Sequence, residues 1–314
     1  MPSNRDWANR VRADRAKGIP VVSIETPSVA LDASREGSSF RMGSVETTRV
    51  LHAVDDTTPM GDDGRPVPVK LSILMAAYNE ERTITKAVHG ILQASFPCEV
   101  ELIVVDDGSA DATPDLLKEI DDPRVIVHRH VKNQGKGASI MTAASLATGT
   151  HIIPFDADME YAPEDIADML VPVIKGRCDV VYGARLFGCN TVYQSYRYAV
   201  GNKVLTHFAN ILYNSALNDL HTCLKLIPLK TFRGLNLTET GFGLDTQVTA
   251  MMLRSGVRPF EVPVSYYSRS HEQGKKINWR DAVRCVWILI RTRVSSRRQT
   301  RSRVTAPSAE LQGL

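Results

Sequence analysis

From Lys70 onward, short apolar runs alternate with segments whose apolar residues recur at helical spacing. The run LSILMAAY is typical of a buried strand, and the segment after it places Ile84, Val88, Ile91 and Leu92 on one helical face. Three more strand-like runs and two helix-like segments then alternate: EVELIVVDD, TPDLLKEID, RVIVHRH, GKGASIMTAASLAT and THIIPFDAD. This alternation predicts an α/β fold, a doubly wound and mostly parallel sheet flanked by helices.

The two ends of the chain have different patterns from its centre. Residues 1–68 are polar with scattered Pro, Gly and Ser, which predicts a short helix near 5–17 and then an extended or partly disordered arm. Residues 69–274 contain the strand–helix alternation, and residues 275–314 read as a basic amphipathic helix and tail. The sequence therefore predicts one α/β domain between two extensions.

The segment INWRDAVRCVWILIRTRV predicts an amphipathic helix. Its apolar residues share one stripe: Trp279, Val283, Val286, Trp287, Ile290 and Val294. Between Lys275 and Arg303, ten lysines and arginines accompany a single acid, Asp281. Such a helix suits the surface of an anionic membrane. The alternative is a helix packed on the domain and followed by a solvated basic tail.

Composition narrows the class of protein. The chain has 314 residues, is 43% hydrophobic, and has no apolar run of the roughly 18 residues that a membrane-spanning helix needs. Its first residues lack the apolar segment of a secretory signal, and its five cysteines form no CxxC pair. We therefore expect a cytoplasmic protein with reduced thiols, peripheral at the inner membrane face if its C-terminal helix binds lipid.

Polar residues follow each predicted strand, at the sheet edge where ligands bind in such folds. The ring of Tyr78 could stack on a base, and an aspartate such as Asp106 could accept hydrogen bonds from a nucleoside. Lys136 lies between two glycines, which allow the backbone close to a ligand, and could meet phosphate. The glycine spacings match neither the P-loop motif GxxxxGK[ST] nor the dinucleotide-binding motif GxGxxG. An enzyme that transfers hydride with a dinucleotide cofactor is therefore disfavoured.

Two aspartates, Asp156 and Asp158, end the fourth predicted strand. Residues i and i+2 of an extended segment point to the same side, so both carboxylates can reach one ion. Like charges this close disfavour each other unless a cation lies between them, and Mg²⁺ or Mn²⁺ prefers oxygen ligands beside substrate phosphates. A strand end that leads into a helix cap is the alternative, but both acids lie too early to cap the helix near Pro163.

The motifs ILMAAYNEE, VDDGSADAT, NQGKGAS, FDADMEYAPEDI and VVYGAR, in this order, resemble inverting glycosyltransferases of family 2 with the GT-A fold. In particular they resemble polyprenyl-phosphate glycosyltransferases of the dolichyl-phosphate mannosyltransferase type. The likeness extends over about residues 70–290, through HTCLKLIP, GFGLDTQV and SHEQGKKINWRDAV. It implies a Rossmann-like sheet and metal-dependent transfer of a sugar from a nucleotide diphosphate sugar to a polyprenyl phosphate.

The resemblance also implies roles at the matching positions. Donor-binding residues would be Ala77, Tyr78, Glu80, Asp106, Asp107, Lys136, Asp156 and Ala157. Asp156 and Asp158 would be the DxD ligands of Mg²⁺ or Mn²⁺, with Glu160 beside them. The catalytic residues would include Arg185, which would face phosphate or sugar, and His221. The cations that bind the acceptor phosphate would be Arg197, Arg269 and Lys275 or Lys276. The stretch SHEQGKK has the glycine and charges of a mobile lid.

His221 departs from the family pattern, which often has an acid before the TC of HTCLK. A neutral imidazole could act as a base or hydrogen-bond donor, or it could be structural. The departure leaves the acceptor open between a polyprenyl phosphate and a soluble metabolite. A catalytically silent nucleotide-binding or scaffold protein is a third hypothesis. Nucleic acid is not expected as a partner, because no aromatic residues interleave along the basic surface.

Overall fold

The computed structural model describes residues 68–186, 190–193, 195–268 and 279–295, with side chains from 281 in the last range. The helix predicted near 5–17 and the arm after it lie outside these residues, as do Arg269, Lys275 and Lys276 with the predicted lid.

Strands and helices alternate as the sequence pattern predicts. The strands are β1 Lys70–Ala77, β2 Glu99–Asp106, β3 Val125–Arg129, β4 His151–Pro154, β5 Val181–Ala184, β6 Thr191–Val192, β7 Lys225–Pro228, β8 Phe260–Pro263 and β9 Tyr266–Tyr267. The helices are α1 Ile84–Gln93, α2 Thr113–Lys118, α3 Lys136–Leu146, α4 Asp165–Ile174, α5 Tyr196–Tyr213, α6 Leu229–Gly234, α7 Leu244–Arg254 and α8 Trp279–Val294.

The central sheet has seven strands in the order β3-β2-β1-β4-β7-β5-β8. Neighbours pair in parallel except around β7, which runs antiparallel to both β4 and β5. The register pairs Ala77 with Asp106 and Leu74 with Pro154, so β1, β2 and β4 end at the same edge. The sheet is therefore the predicted mostly parallel one, and its carboxyl-end edge gathers the polar residues that follow these strands. A separate small sheet pairs β6 with β9 in parallel.

Buried apolar residues cover both faces of the sheet. On one face Leu71 and Ile73 of β1 pack with Val88 of α1 and Met169 of α4. On the other face Leu74 belongs to a cluster with residues of α3, α6 and α7: Ile140, Ala143, Phe232, Val248 and Met252. This alternation along β1 follows from the two-residue period of a strand and gives the doubly wound arrangement its two helical layers.

Helices α5 and α8 form a third layer beside α7. Tyr213 of α5 donates a hydrogen bond to the carbonyl of Leu289, 2.8 Å away, in a small core that also contains Leu253. Helix α8 packs through Cys285, Ile288 and Leu289, which are buried. Among the described residues, no helix combines the length and the apolar character needed to cross a bilayer.

The opposite side of α8 carries an outer stripe consisting of Val283, Trp287, Ile290 and Val294. These side chains are 44–76% exposed. They are four of the six residues of the stripe predicted from the sequence. Arg291 stacks over the Trp287 ring at 4.8 Å, and Arg284 pairs with Glu239 at 2.8 Å. The helix therefore packs on the domain and still presents an apolar, basic surface to the outside.

Candidate functional site

A cavity of about 1030 Å³ opens at the carboxyl-end edge of the sheet. One part of its wall is made by the residues that follow β1, β2 and β4, and a second part by the first half of α5 and the start of α8. The predicted site residues that line it are Ala77, Tyr78, Glu80, Asp107, Lys136, Asp156, Ala157, Asp158, Glu160, Arg185, Arg197 and His221. The fold thus brings residues far apart in sequence to one cavity.

The segment after β1 is positioned by hydrogen bonds from the segment after β2. The backbone N–H of Asn79, which has a positive φ of 55°, donates to Ser109 Oγ at 2.9 Å, and the N–H of Glu80 donates to Thr113 Oγ1 at 2.9 Å. The Tyr78 ring at the cavity wall remains 37% exposed. These contacts hold an accessible aromatic ring at the rim, where a flat ligand can stack on it.

Asp107 organises the loop that precedes α3. Its carboxylate accepts hydrogen bonds from the backbone N–H groups of Gln134, at 2.9 Å, and Gly135, at 2.7 Å. His130 Nδ1 lies 2.7 Å from the same carboxylate and Nε2 lies 3.0 Å from Thr142 Oγ1. Most of the hydrogen-bonding capacity of the Asp107 carboxylate is therefore used by protein partners, although the residue also contributes to the cavity wall.

Asp106 has a different position from the one its sequence motif suggests. It is 1% exposed, accepts a hydrogen bond from the N–H of Ser109 and pairs with Arg129 Nε at 3.0 Å. Asp106 is not part of the cavity wall. The side chains of two consecutive residues in a strand point to opposite faces, so only one carboxylate of the DD pair can face the cavity.

The carboxylates of Asp156 and Asp158 both line the cavity. Asp156 is bound by Lys136, whose Nζ lies 2.7 Å from Oδ1 and 2.9 Å from Oδ2. Asp158 Oδ1 accepts a hydrogen bond from the N–H of Glu160 at 3.1 Å, across Met159 with its positive φ of 61°. Two carboxylates at an open cavity fit a hard divalent cation that completes its shell with phosphate oxygens and water. No cluster of three or more metal-binding side chains occurs in the described ranges.

Lys136 is surrounded by negative or polarisable groups. Besides Asp156, its Nζ lies 3.8 Å from Asp245 Oδ2 and 3.8 Å from Cys223 Sγ. Burial acts to lower the pKa of Lys136, but Asp156, Cys223 and Asp245 outweigh it and hold the pKa well above its ordinary value. The side chain is therefore positively charged near pH 7 and lines the cavity.

Arg185 forms a buried ion pair that the sequence motifs did not single out. Its Nε and Nη2 contact the two oxygens of Asp219 at 2.5 and 2.9 Å, and its guanidinium stacks on the Tyr266 ring at 4.8 Å. Burial acts to raise the pKa of Asp219, but Arg185 outweighs it and holds the pKa well below its usual range. Arg185 thus lines the cavity, while its Nε and Nη2 groups donate hydrogen bonds to Asp219.

His221 has partners on both ring nitrogens. Nδ1 lies 2.8 Å from Asn202 Oδ1, and Nε2 lies 3.1 Å from Thr246 Oγ1. The Asn202 amide nitrogen donates to Asp219, so its oxygen faces His221 and requires a proton on Nδ1. Burial, assisted by Lys225, lowers the pKa of His221 to about 4. The imidazole is therefore neutral near pH 7.

The second wall of the cavity begins at the N-terminus of α5. Ser195, Arg197 and Tyr198 line the cavity there, and Arg197 is exposed. Leu205 of α5 and Ala282 of α8 extend the wall with apolar surface. The first N–H groups of a helix attract anions, so this wall combines an anion-binding end with an apolar extension.

Two carboxylates of this site were missed by the sequence reasoning. Asp219 lies two residues before His221, in NDLHTC, and accepts the N–H of His221 at 3.1 Å. Asp245 follows the turn in GFGLDTQV, lines the cavity and lies 3.3 Å from the buried Lys225. GFGLDTQV is among the motifs that carry the resemblance, whereas Asp219 lies just before HTCLKLIP. Neither acid gave a local signal, because their partners come from distant parts of the chain.

Solved structures share this fold. Glucosyl-3-phosphoglycerate synthase from Mycobacterium tuberculosis, in complex with Mn²⁺, uridine diphosphate and phosphoglyceric acid, matches with a TM-score of 0.54 and 15% identity over 72% of this chain and 79% of that one. S. aureus TarS, in complex with UDP-GlcNAc, matches with a TM-score of 0.50 and 17% identity over 71% of this chain and 66% of that one. At these identities the likeness establishes the fold, and the predicted GT-A architecture is confirmed.

Three similar curated proteins come from archaea. Glycosyltransferase AglJ of Haloferax volcanii is 25% identical over 65% of this chain. The low-salt glycan biosynthesis hexosyltransferase Agl6 of the same organism is 25% identical over 77% of it. A UDP-N-acetylglucosamine–dolichyl-phosphate N-acetylglucosaminyltransferase of Methanococcus voltae is 31% identical over 36% of it. The matches span 65%, 57% and 51% of the lengths of these three relatives.

A family model matches the centre of the chain. Residues 72–258 fit the model described as glycosyl transferase family 2, and they include most of β1, all of β2 to β7 and both aspartates of the DAD motif. More than half of the chain is matched, so the protein belongs to glycosyl transferase family 2.

Proposed function

We propose that the protein transfers a sugar, with inversion, from a nucleotide diphosphate sugar to a polyprenyl phosphate, using Mg²⁺ or Mn²⁺. The observation that carries this proposal is the single cavity. It joins the acidic sheet edge, which suits a donor and its metal, to the anion-binding end and apolar side of α5. Donor and acceptor can therefore meet in one cavity, which is what direct transfer between them requires.

The donor half would use the residues after β1, β2 and β4. Tyr78 would stack on the base, and the loop that Asp107 holds would lie against the nucleoside. Asp156 and Asp158 would hold the divalent ion. When bound, such an ion neutralises the charge that develops on the leaving nucleoside diphosphate. Lys136 would supply a further positive charge beside the diphosphate.

The acceptor half would use the start of α5. The N-terminal N–H groups near Ser195 and the exposed guanidinium of Arg197 would bind the lipid phosphate. A phosphate oxygen is already anionic, so its attack on the anomeric carbon needs no strong base. Inversion then follows from attack on the face opposite the leaving diphosphate. The apolar wall formed by Leu205 and Ala282 would receive the first part of the lipid chain.

In this scheme we assign His221 and Asp219 a positioning role. The neutral imidazole of His221 joins Asn202 of α5 to Thr246 of α7, while Asp219 orients Arg185. Because both nitrogens of His221 already have partners inside the protein, the structural alternative is favoured over a base. If the acceptor were a hydroxyl group, Asp245 would serve as its base, because it lines the cavity and this scheme gives it no role in binding the donor or the metal.

We further propose that the outer stripe of α8 contacts an anionic membrane, at the cytoplasmic face. Tryptophan and aliphatic side chains on an exposed stripe, flanked by Arg291 and Arg293, match the composition of an interfacial helix. The inner side of the same helix contributes Asp281, Ala282 and Cys285 to the cavity wall. Contact at the outer stripe would therefore bring the acceptor half of the cavity close to the lipid surface.

A soluble phosphorylated acceptor is the second candidate. The N-terminus of α5 with Arg197 would bind a phosphate whether or not a lipid chain follows it. The solved synthase with the same fold was crystallised with phosphoglyceric acid, a small anionic metabolite. This candidate keeps the donor half unchanged and makes Asp245 the base for attack by a hydroxyl group.

The acceptor is tested by nucleoside diphosphate release. Purified protein with Mn²⁺ would be incubated with a panel of nucleotide sugars, each with a short polyprenyl phosphate, with phosphoglyceric acid, or with neither. Release that depends on the lipid phosphate is the expected result and identifies the donor. Release that depends on the soluble acid and ignores the lipid would replace the first candidate with the second.

A further inference from the structure

The ammonium group of Lys136 occupies the place that a cation ligated by Asp156 would take. It contacts both oxygens of the Asp156 carboxylate, at 2.7 and 2.9 Å, and the two side chains are only 19% and 22% exposed. A carboxylate held by both oxygens in a partly buried site has little capacity left for a second cation. An ammonium and a divalent ion on the same two oxygens would also repel each other strongly.

The backbone around Lys136 is fixed, so only its side chain can move. A Cβ added at Gly135 would lie 2.4 Å from the carbonyl oxygen of Thr240, and one at Gly137 would lie 2.4 Å from that of Glu239. The N–H of Ala138 also donates to the Thr240 oxygen at 3.0 Å. The first turn of α3 is thus packed against the backbone of a neighbouring loop.

A second position for the ammonium group is close by. Asp245 Oδ2 lies 3.8 Å from Lys136 Nζ, and its Oδ1 is 3.3 Å from Lys225. The lysine stem has four rotatable carbons and a compact charged end, so a small rotation would move the group from Asp156 to Asp245. The phosphates of a donor in the same cavity offer a further anionic partner.

We propose that Lys136 is an exchangeable cation that holds Asp156 in the metal-free protein and must leave it before a divalent ion binds. Lys136 then turns toward Asp245 or the donor diphosphate. The charge of Asp156 is compensated in both states, which keeps the site ordered before the metal arrives. The cost is a lower apparent metal affinity in the absence of donor. This inference rests on the proposed role of Asp156 and Asp158 as metal ligands.

The test measures Mn²⁺ binding alone, by calorimetry or by the electron paramagnetic resonance signal of free Mn²⁺, with no nucleotide or acceptor. Lys136→Met removes the competing charge, and we expect its Kd for Mn²⁺ to be lower by about tenfold or more, the size of one charge-assisted hydrogen bond. Lys132→Met, in the exposed loop before α3, is the matched control and should bind Mn²⁺ as the unaltered protein does. Lys136→Gln provides a second variant if the methionine variant does not fold.

The outcomes separate this inference from the metal assignment. If Asp156→Asn abolishes Mn²⁺ binding but the Lys136 variants bind as the unaltered protein does, or more weakly, Lys136 is not a competitor and the inference is wrong. If neither the unaltered protein nor the Lys136 variants bind Mn²⁺, or if Asp156→Asn binds it as well as the unaltered protein does, the proposed metal site fails and the inference fails with it. A second readout is the melting temperature. Mn²⁺ should raise it more in Lys136→Met than in the unaltered protein, because metal-free Asp156 has lost its partner.

Discussion

Replacing Asp219 with asparagine removes the negative charge of the buried ion pair with Arg185 and keeps the side-chain shape. The carboxylate is fully buried and holds Arg185 Nε and Nη2 at 2.5 and 2.9 Å, with a further hydrogen bond from Asn202 at 2.9 Å. Removing one partner of such a pair leaves an uncompensated buried charge and costs about 3–5 kcal/mol. We expect Asp219→Asn to lower the free energy of unfolding by about 3 kcal/mol, near the lower end because the amide retains some hydrogen bonds.

The measurement is urea unfolding at pH 7, with Asp179→Asn as the matched control. Asp179 is an exposed aspartate just before β5, so its loss should change the unfolding free energy by less than about 0.5 kcal/mol. For a domain of this size, a loss of 3 kcal/mol corresponds to a fall in Tm of roughly 6–12 °C. An Asp219→Asn variant as stable as Asp179→Asn would show that the pair contributes no net stability.

The same pair predicts a dependence of stability on pH. The pKa of Asp219 is held below that of an unfolded aspartate, so the unfolded chain takes up a proton more readily than the folded one. The contribution is therefore fully present above a pH of about 4, the unfolded pKa, and is lost progressively as the pH falls below it. Asp219→Asn should have a shallower loss of stability in acid than the unaltered protein. Equal slopes would contradict the depressed pKa.

Three further predictions concern the cavity and the packing of helix α3. Asp156→Ala and Asp158→Ala should each abolish turnover while circular dichroism and the melting transition show a folded protein; normal turnover would refute the metal assignment. Arg197→Gln should raise the KM for the phosphate acceptor by about tenfold, the loss of one charge-assisted contact, with the KM for the donor unchanged; an equal effect on both would place Arg197 elsewhere. Gly137→Ala should destabilise the fold by about 1–3 kcal/mol, because the added Cβ would lie 2.4 Å from the Glu239 carbonyl oxygen. Gly234→Ala is the control and should be close to neutral, because a Cβ added there meets nothing within 4 Å. Similar unfolding midpoints for the two variants would refute the packing argument.

The order of strands and helices was predictable because it depends on local patterns. The apolar runs that predicted the first strands became β1 to β4, and the helical periodicities became α1 to α3. Parallel strands must end at one edge, so the convergence of Tyr78, Asp107 and Asp156 on one cavity followed from the alternation alone. The reversal at β7 was not predictable, because antiparallel pairing with β4 and β5 depends on contacts distant in sequence.

The charge pairing inside the site was also beyond local reasoning. Lys136 was predicted to meet phosphate, yet in the structure it binds Asp156, twenty residues away. Asp106 and Asp107 are equivalent in the motif, but the strand pleat turns one toward Arg129 and the other toward the cavity. Asp219 and His221 acquire their partners only when α5 and α7 pack together. Residue type identified the chemistry, whereas tertiary contacts decided which charges are already compensated.

Transfer of a sugar to a lipid phosphate within this cavity is tested most directly by analysis of the product. The protein would be incubated with Mn²⁺, the donor that supports turnover and a short polyprenyl phosphate. The extracted lipid would then be analysed by mass spectrometry and by NMR of the anomeric centre. We expect a polyprenyl phosphate enlarged by one sugar, with the anomeric configuration opposite to that of the donor. Nucleoside diphosphate release without any glycosylated lipid, or a lipid product of retained configuration, would contradict it.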